Sequence, residues 1–186
     1  MSLHPQDVVV LLKLVANRKA SKRSTYAELS EDLFMSTSQV FRSVKRTEAA
    51  QLIIAPAISP DSRDEPPRMW LWPNNSGNLK EFLIHGVKYA FPVERGGPTR
   101  GVPTSGAAPP LNQQFDEYSP LPPVWPYAEG SVRGIEFSPL HENVPRAALR
   151  DPKLYELLAL VDAIREGRAR EREIAIRELS ARIDSR

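Results

Sequence analysis

The chain has 186 residues, of which 41% are hydrophobic and 26% charged, which suits one large domain or two small ones. It contains no cysteine, which excludes disulfide bonds and thiolate chemistry. Its formal net charge is only +2, so charge alone does not indicate a nucleic-acid partner. No apolar run approaches the ~18 residues of a membrane span, and the N-terminus lacks the basic start of a secretory signal, so we expect a cytoplasmic protein.

The first predicted helix spans about residues 5–16. Pro5 suits its first turn, where the missing N–H would have no intrahelical partner anyway. Apolar residues then recur with helical spacing and predict a buried stripe at Val8, Leu11, Leu12 and Val15.

Two capping boxes lie close together after this helix. Thr25 with Glu28, and Ser36 with Gln39, each place a hydroxyl three residues before a side chain that can bond back to the backbone. The boxes predict a short second helix and a third helix over about residues 37–50. A turn of about three residues joins the two helices, which is the spacing of a helix-turn-helix.

Two short β-prone runs follow the third helix. Residues 52–54 and 68–72 are apolar and aromatic, and the intervening loop is rich in proline and aspartate. Two strands around such a loop predict a hairpin over about residues 52–72, which would be the wing of a winged helix.

The middle of the chain changes composition. After a fourth helix, which we expect Asn78 to cap, residues 92–152 hold 12 of the 18 prolines. We expect the run of residues 94–111 to sustain neither a helix nor a central strand. Residues 124–127 and 132–137 predict a second hairpin.

A long terminal helix, or a helical hairpin interrupted at Gly167, is expected after Asp151 and Pro152, with proline again at the first helical position. Its apolar stripe could form a dimer contact or pack against the same chain, and both alternatives stay open. The stripe consists of Leu154, Leu157, Leu158, Val161 and Ile164.

Together these elements predict an α+β fold that is mostly helical. Residues 1–75 would form a winged helix-turn-helix domain. Residues 76–150 would hold the fourth helix, the segment rich in proline and glycine and the small hairpin. Residues 151–186 would form a C-terminal helical segment.

The run from Leu29 to Ile53 resembles the DNA-reading core of winged helix-turn-helix regulators of the multiple antibiotic resistance regulator (MarR) type. The matching positions are Leu29, Ser30, Leu33, Ser36, Val40, Arg42, Val44, Lys45, Arg46, Leu52 and Ile53. Phe34 and Gln51 depart from the family, which often has glycine in the turn and after the recognition helix. A left-handed residue is costly without glycine, so we expect either a wider turn or a Phe34 ring that fills the core.

The resemblance implies a transcriptional regulator, in the first place a repressor, that binds double-stranded DNA as a homodimer. With Val40 and Val44 inward, Gln39 could pair with adenine, Arg42 with guanine, and Phe41 could contact a thymine methyl. The predicted base contacts are Thr37, Ser38, Gln39, Phe41 and Arg42. The predicted phosphate or groove contacts are Lys45, Arg46, Arg18, Lys19, Lys22 and Arg23, with Arg63 and Arg68 in the wing.

A protein-binding module is the alternative function. In its sharper form the chain is an antitoxin, whose C-terminal half holds a toxin while the winged domain represses the operon. Arg95 and Arg100 would contact an anion or a partner if residues 94–101 bind one, although this loop lacks the ending of a P-loop and can equally be a structured connector.

Residues that could carry catalysis or hold a metal do not cluster in the sequence. His4, His85 and His141 show no metal-ligand spacing, and no serine or acid accompanies them in a catalytic arrangement. We therefore expect no enzyme activity, no metal site and no cofactor.

Overall fold

A computed structural model of the protein describes residues 2–19, 24–54, 76–115 and 120–184. Three helices form its first part, and they match the predicted ones: α1 Pro5–Lys19, α2 Tyr26–Leu33 and α3 Thr37–Ala49. Of the predicted wing, only residues 52–54 are described. Leu52 and Ile53 are buried, but they form a bend and not the predicted strand. The wing stays a prediction because the rest of it lies outside the described residues.

Both predicted capping boxes are present. Thr25 Oγ1 accepts the Glu28 N–H at 3.1 Å, and Glu28 Oε2 accepts the Thr25 N–H at 2.7 Å. Ser36 Oγ accepts the Gln39 N–H at 3.2 Å, and Gln39 Oε1 accepts the Ser36 N–H at 2.8 Å. Each box satisfies two backbone donors that the first turn of a helix leaves unpaired. Local sequence therefore sets where α2 and α3 begin.

The two positions that replace glycine nevertheless adopt the left-handed backbone. Phe34 has φ 54° in the turn between α2 and α3, and Gln51 has φ 58° after α3. Asn143 Nδ2 donates to the Phe34 carbonyl, and Asn78 Nδ2 donates to the Gln51 carbonyl at 3.0 Å. Hydrogen bonds from distant parts of the chain thus support two conformations that are unfavourable for residues with a Cβ. The turn is not widened, and the half-buried Phe34 ring packs against the core.

The fourth predicted helix consists of three continuous stretches. Ser76–Glu81 forms α4, Phe82–Gly86 is a π-helical turn, and Val87–Ala90 forms α5. The expected cap at Asn78 is wrong, because this residue lies inside α4 and its side chain bonds Gln51 instead.

Three strands form a small closed sheet: β1 Arg95–Pro103, β2 Pro123–Pro126 and β3 Val132–Phe137. β1 is antiparallel to both of the others, and β2 and β3 are parallel. Two predictions are therefore wrong. The run of residues 94–111 contains β1, which pairs with both other strands, and the two later strands do not form a hairpin.

The strand backbones approach one another closely, and glycines allow this because they have no Cβ. A Cβ on Gly101 would lie 2.0 Å from the Trp125 carbonyl oxygen, and a Cβ on Gly134 would lie 2.0 Å from the Pro122 carbonyl oxygen. Pro98 is accommodated beside a register shift in β1, where a missing N–H costs the ladder little.

The remaining helices are α6 Val144–Arg150, α7 Pro152–Glu166 and α8 Ala169–Asp184. Asp151 caps α7 as expected, and every residue from Leu157 to Arg165 is buried. α7 packs against α1, α5, α6 and α8, so its apolar stripe contacts its own chain. One apolar cluster joins the three predicted segments into a single core. The fold is α+β and mostly helical, as predicted, and none of the described helices is long and apolar enough to cross a bilayer.

Candidate nucleic-acid interface

The outer face of α3 carries most of the residues predicted to contact DNA. Val40 and Val44 are completely buried, as their spacing indicates, and they fix the rotation of the helix. Five of the predicted contacts are exposed together on the opposite side: Thr37, Ser38, Phe41, Arg42 and Lys45.

An aromatic pair shapes this face. The Phe41 ring, which is 47% exposed, meets the Tyr26 ring of α2 edge-on, with centroids 5.5 Å apart. The two rings, with Thr37, Ser38 and Arg42, line a shallow open hollow. Burial raises the pKa of the Tyr26 hydroxyl, so this group remains a neutral hydrogen-bond donor. The hollow depends on the packing of Tyr26 of α2 against α3.

Gln39 is held by its capping bond. Its Oε1 accepts the Ser36 N–H at 2.8 Å, and the side chain is half-buried. A bidentate contact to adenine needs the same oxygen as an acceptor. The capping box and the predicted adenine contact therefore compete for one atom, and the structure shows the capping arrangement.

The two exposed cations of α3 differ in their surroundings. Arg42 Nε donates to the Ser38 carbonyl at 3.2 Å, which lays the guanidinium along the outer face toward the start of the helix. Lys45 Nζ lies 2.9 Å from Glu48 Oε2, and this hydrogen bond raises the pKa of the lysine, so the ammonium stays charged. Arg42 therefore lies nearest to the end of the helix that would read bases.

Two predicted phosphate contacts are corrected by the structure. Arg46 is buried, and its Nε and Nη2 bind the Asp7 carboxylate at 2.7 and 2.6 Å, which ties α3 to α1. Arg18 is turned toward α4 and α8, where it donates to Ser76 Oγ and to the Ile183 carbonyl respectively. Neither guanidinium lies on the exposed face of α3, because partners far away in the sequence hold it elsewhere.

The remaining residues predicted to contact DNA lie outside the part of the chain that the structure describes. Lys22, Arg23, Arg63 and Arg68 are in the segments that the structure does not describe, and so is the Lys19 side chain. Their contacts with DNA stay predictions.

The two arginines predicted to bind an anion in the middle segment have different environments. Arg95 Nε lies 2.7 Å from Glu166 Oε2, and its guanidinium lies 5.0 Å from the Phe137 ring centroid, so this side chain already has partners. Arg100 is exposed and lies directly opposite Arg133 in the β1–β3 pair. The sequence did not indicate Arg133, because the register of the sheet alone brings the two together. Comparison with protein families, curated proteins and solved structures gave no match to this chain.

Proposed function

We propose that the protein is a DNA-binding transcriptional regulator that acts as a repressor by occluding its operator. The observation that carries the proposal is the exposed first half of α3, where Thr37, Ser38, Phe41 and Arg42 share one face. An α-helix fits the major groove, and the first residues of a recognition helix meet the base edges.

The chemistry of this face suits direct reading of bases. The Arg42 guanidinium can pair with guanine O6 and N7, and the hydroxyls of Thr37 and Ser38 can donate or accept. Phe41 offers an apolar ring edge that suits a thymine methyl. The aromatic pair with Tyr26 keeps the Phe41 ring in place, so ordering this side chain costs little entropy on binding.

Regulators of this kind recognise two half-sites with a symmetric dimer, so we propose a homodimer on DNA. The buried stripe of α7 packs within its own chain, and we therefore do not place the dimer contact there. The wing would reach the adjacent groove or backbone.

Selection of duplex DNA from a random pool by the full-length protein tests the proposal. Arg42→Ala should weaken binding to the selected duplex by about 1–3 kcal/mol and relax the preference at one base pair. Arg177→Ala, which removes an exposed arginine from α8, is the matched control and should leave both unchanged.

A second arm addresses Phe41. Replacing thymine by uracil in the selected duplex removes only the methyl group, and this should weaken wild-type binding while leaving Phe41→Ala unaffected. If Arg42→Ala and Phe41→Ala both bind with wild-type affinity and specificity, α3 is not the recognition helix.

A further inference from the structure

The short helix α6 presents cations beside the turn that leads into α3. Its exposed residues include Arg146 and Arg150, one helical turn apart and on the same side. The sequence did not indicate these residues, because they lie more than a hundred positions after Phe34, the residue of that turn.

Both guanidinium groups are held against the turn residue Phe34. The Arg146 guanidinium carbon lies 3.9 Å from the Phe34 ring centroid, and that of Arg150 lies 5.6 Å from it. Arg150 Nη1 also donates to the Glu31 carbonyl at 3.3 Å. Stacking on a ring face orients a guanidinium while leaving its charge unneutralised.

These charges differ from those of several other arginines in the described residues, which lie beside carboxylates. Arg46, Arg165 and Arg182 each bind a carboxylate within 2.9 Å. For Arg146 and Arg150, in contrast, no carboxylate of the described ranges lies within ion-pair distance. The described residues thus orient two positive charges without supplying carboxylates to neutralise them.

We infer that Arg146 and Arg150 bind phosphates of the DNA strand that flanks the recognition helix, an inference that rests on the proposed function. Phe34 lies two residues before Ser36, the cap of α3, so the two guanidinium groups flank the end of α3 that would enter the groove. A helix with its side chains is about 10–12 Å wide and the major groove about 12 Å. The sugar–phosphate backbone must therefore pass close to this turn, where a planar guanidinium can bind two phosphate oxygens.

The inference also replaces positive charges that the sequence had predicted to bind phosphates. Arg46 and Arg18 are turned away from the face of α3, which removes two of the cations predicted for phosphates. Arg146 and Arg150 supply two in their place, from an element packed against α2.

The salt dependence of DNA binding tests the inference, because each phosphate contact contributes about 0.9 to the slope of log affinity against log salt. The full-length protein and the double variant Arg146→Gln/Arg150→Gln are titrated with the duplex selected by the wild type, between ~50 and ~200 mM salt. We expect a slope smaller in magnitude by about 1.8, with the base preference of the wild type retained.

Two further variants separate charge from structure. The variant Arg146→Lys/Arg150→Lys keeps both charges and should keep most of the slope. If the two arginines acted only by stacking on Phe34, the lysine and glutamine double variants would both lose the effect. Arg177→Gln removes an exposed charge from α8 and should not change the slope.

A slope that the double glutamine variant leaves unchanged, while Arg42→Ala still loses its base preference, would overturn this inference alone and leave the α6 surface to a protein partner. A wild-type chain that binds no duplex would overturn the proposed function and the inference together.

Discussion

In the α2–α3 unit, residues 25–49, the backbone donors that start each helix are satisfied by side chains three positions away. The three-stranded sheet depends instead on a carboxylate from another element. Asp162 of α7 accepts hydrogen bonds from Thr104 and Trp125, which are 58 and 37 positions distant, both at 2.7 Å. The helix starts of the first region are therefore supported by residues nearby in the sequence, and the sheet acquires this carboxylate only when α7 is in place.

The carboxylate belongs to a buried polar cluster. Asp162 Oδ1 lies 2.7 Å from Arg165 Nη1, and Arg165 also donates to the carbonyls of Phe91, Pro92 and Ser138. Burial raises the pKa of the Asp162 carboxyl, and the charge of Arg165 opposes that shift. A buried pair of this kind is costly to break, because removal of one partner leaves the other charge without compensation.

The largest expected effect comes from removing the carboxylate that anchors the sheet. Asp162→Leu should lower the free energy of unfolding by about 3–5 kcal/mol, since Arg165 stays buried and unpaired. Urea denaturation followed by circular dichroism measures the change. Glu166→Gln, which removes the exposed partner of Arg95, is the control and should cost less than about 1 kcal/mol. Similar losses in the two variants would contradict the anchoring role of Asp162.

The second-largest expected loss of stability comes from a substitution where the strands approach closely. Gly101→Ala should destabilise the protein by about 1–3 kcal/mol, because its Cβ would lie 2.0 Å from a carbonyl oxygen. Gly97→Ala in the same strand is the matched control, because no atom lies within 4 Å of that Cβ, and its effect should stay within about 0.5 kcal/mol. Thermal or urea unfolding of both variants makes the comparison, and equal stabilities would be evidence against the closed sheet.

The left-handed residues on either side of α3, Phe34 and Gln51, should respond in opposite directions to glycine. Gln51→Gly should raise the free energy of unfolding by about 0.5–1 kcal/mol, because glycine removes the backbone strain at φ 58° while the carbonyl still accepts from Asn78. Phe34→Gly should lower it, because the packed ring and its contact with Arg146 are lost. Urea denaturation of both variants checks the signs, and stabilisation by Phe34→Gly would show that the ring adds little to the turn.

The smallest effect is a dependence on alkaline pH. Tyr155 of α7 donates to the Pro103 carbonyl at 2.6 Å, and burial raises the pKa of its hydroxyl to about 12 from the ordinary value of 10.0. The folded state holds this proton more tightly, so stability should fall as the pH rises from about 10 toward 12. Tyr155→Phe should remove that part of the fall, as measured by urea denaturation across this range. An identical pH profile in the variant would exclude Tyr155 as its source.

Prediction from sequence succeeded where residues close together in the chain determine the local structure. The boxes at Thr25 and Ser36 located α2 and α3, and the spacing of Val40 and Val44 gave the rotation of α3. It failed at Asn78, where a residue well suited to capping bonds a distant carbonyl instead. It also failed for Arg46, since nothing near that residue in the sequence indicates Asp7, 39 positions away.

The sequence by itself determined the first three helices and the exposed side chains of α3, because capping and helical periodicity act within a few residues. Only the tertiary structure decided the path of β1, the burial of Arg46, the hydrogen bonds that hold Arg18 away from α3, and the position of α6 beside Phe34. Those features depend on a carboxylate, a carbonyl or a ring supplied from far along the chain, and the interior favours such contacts because it excludes water from competing for them.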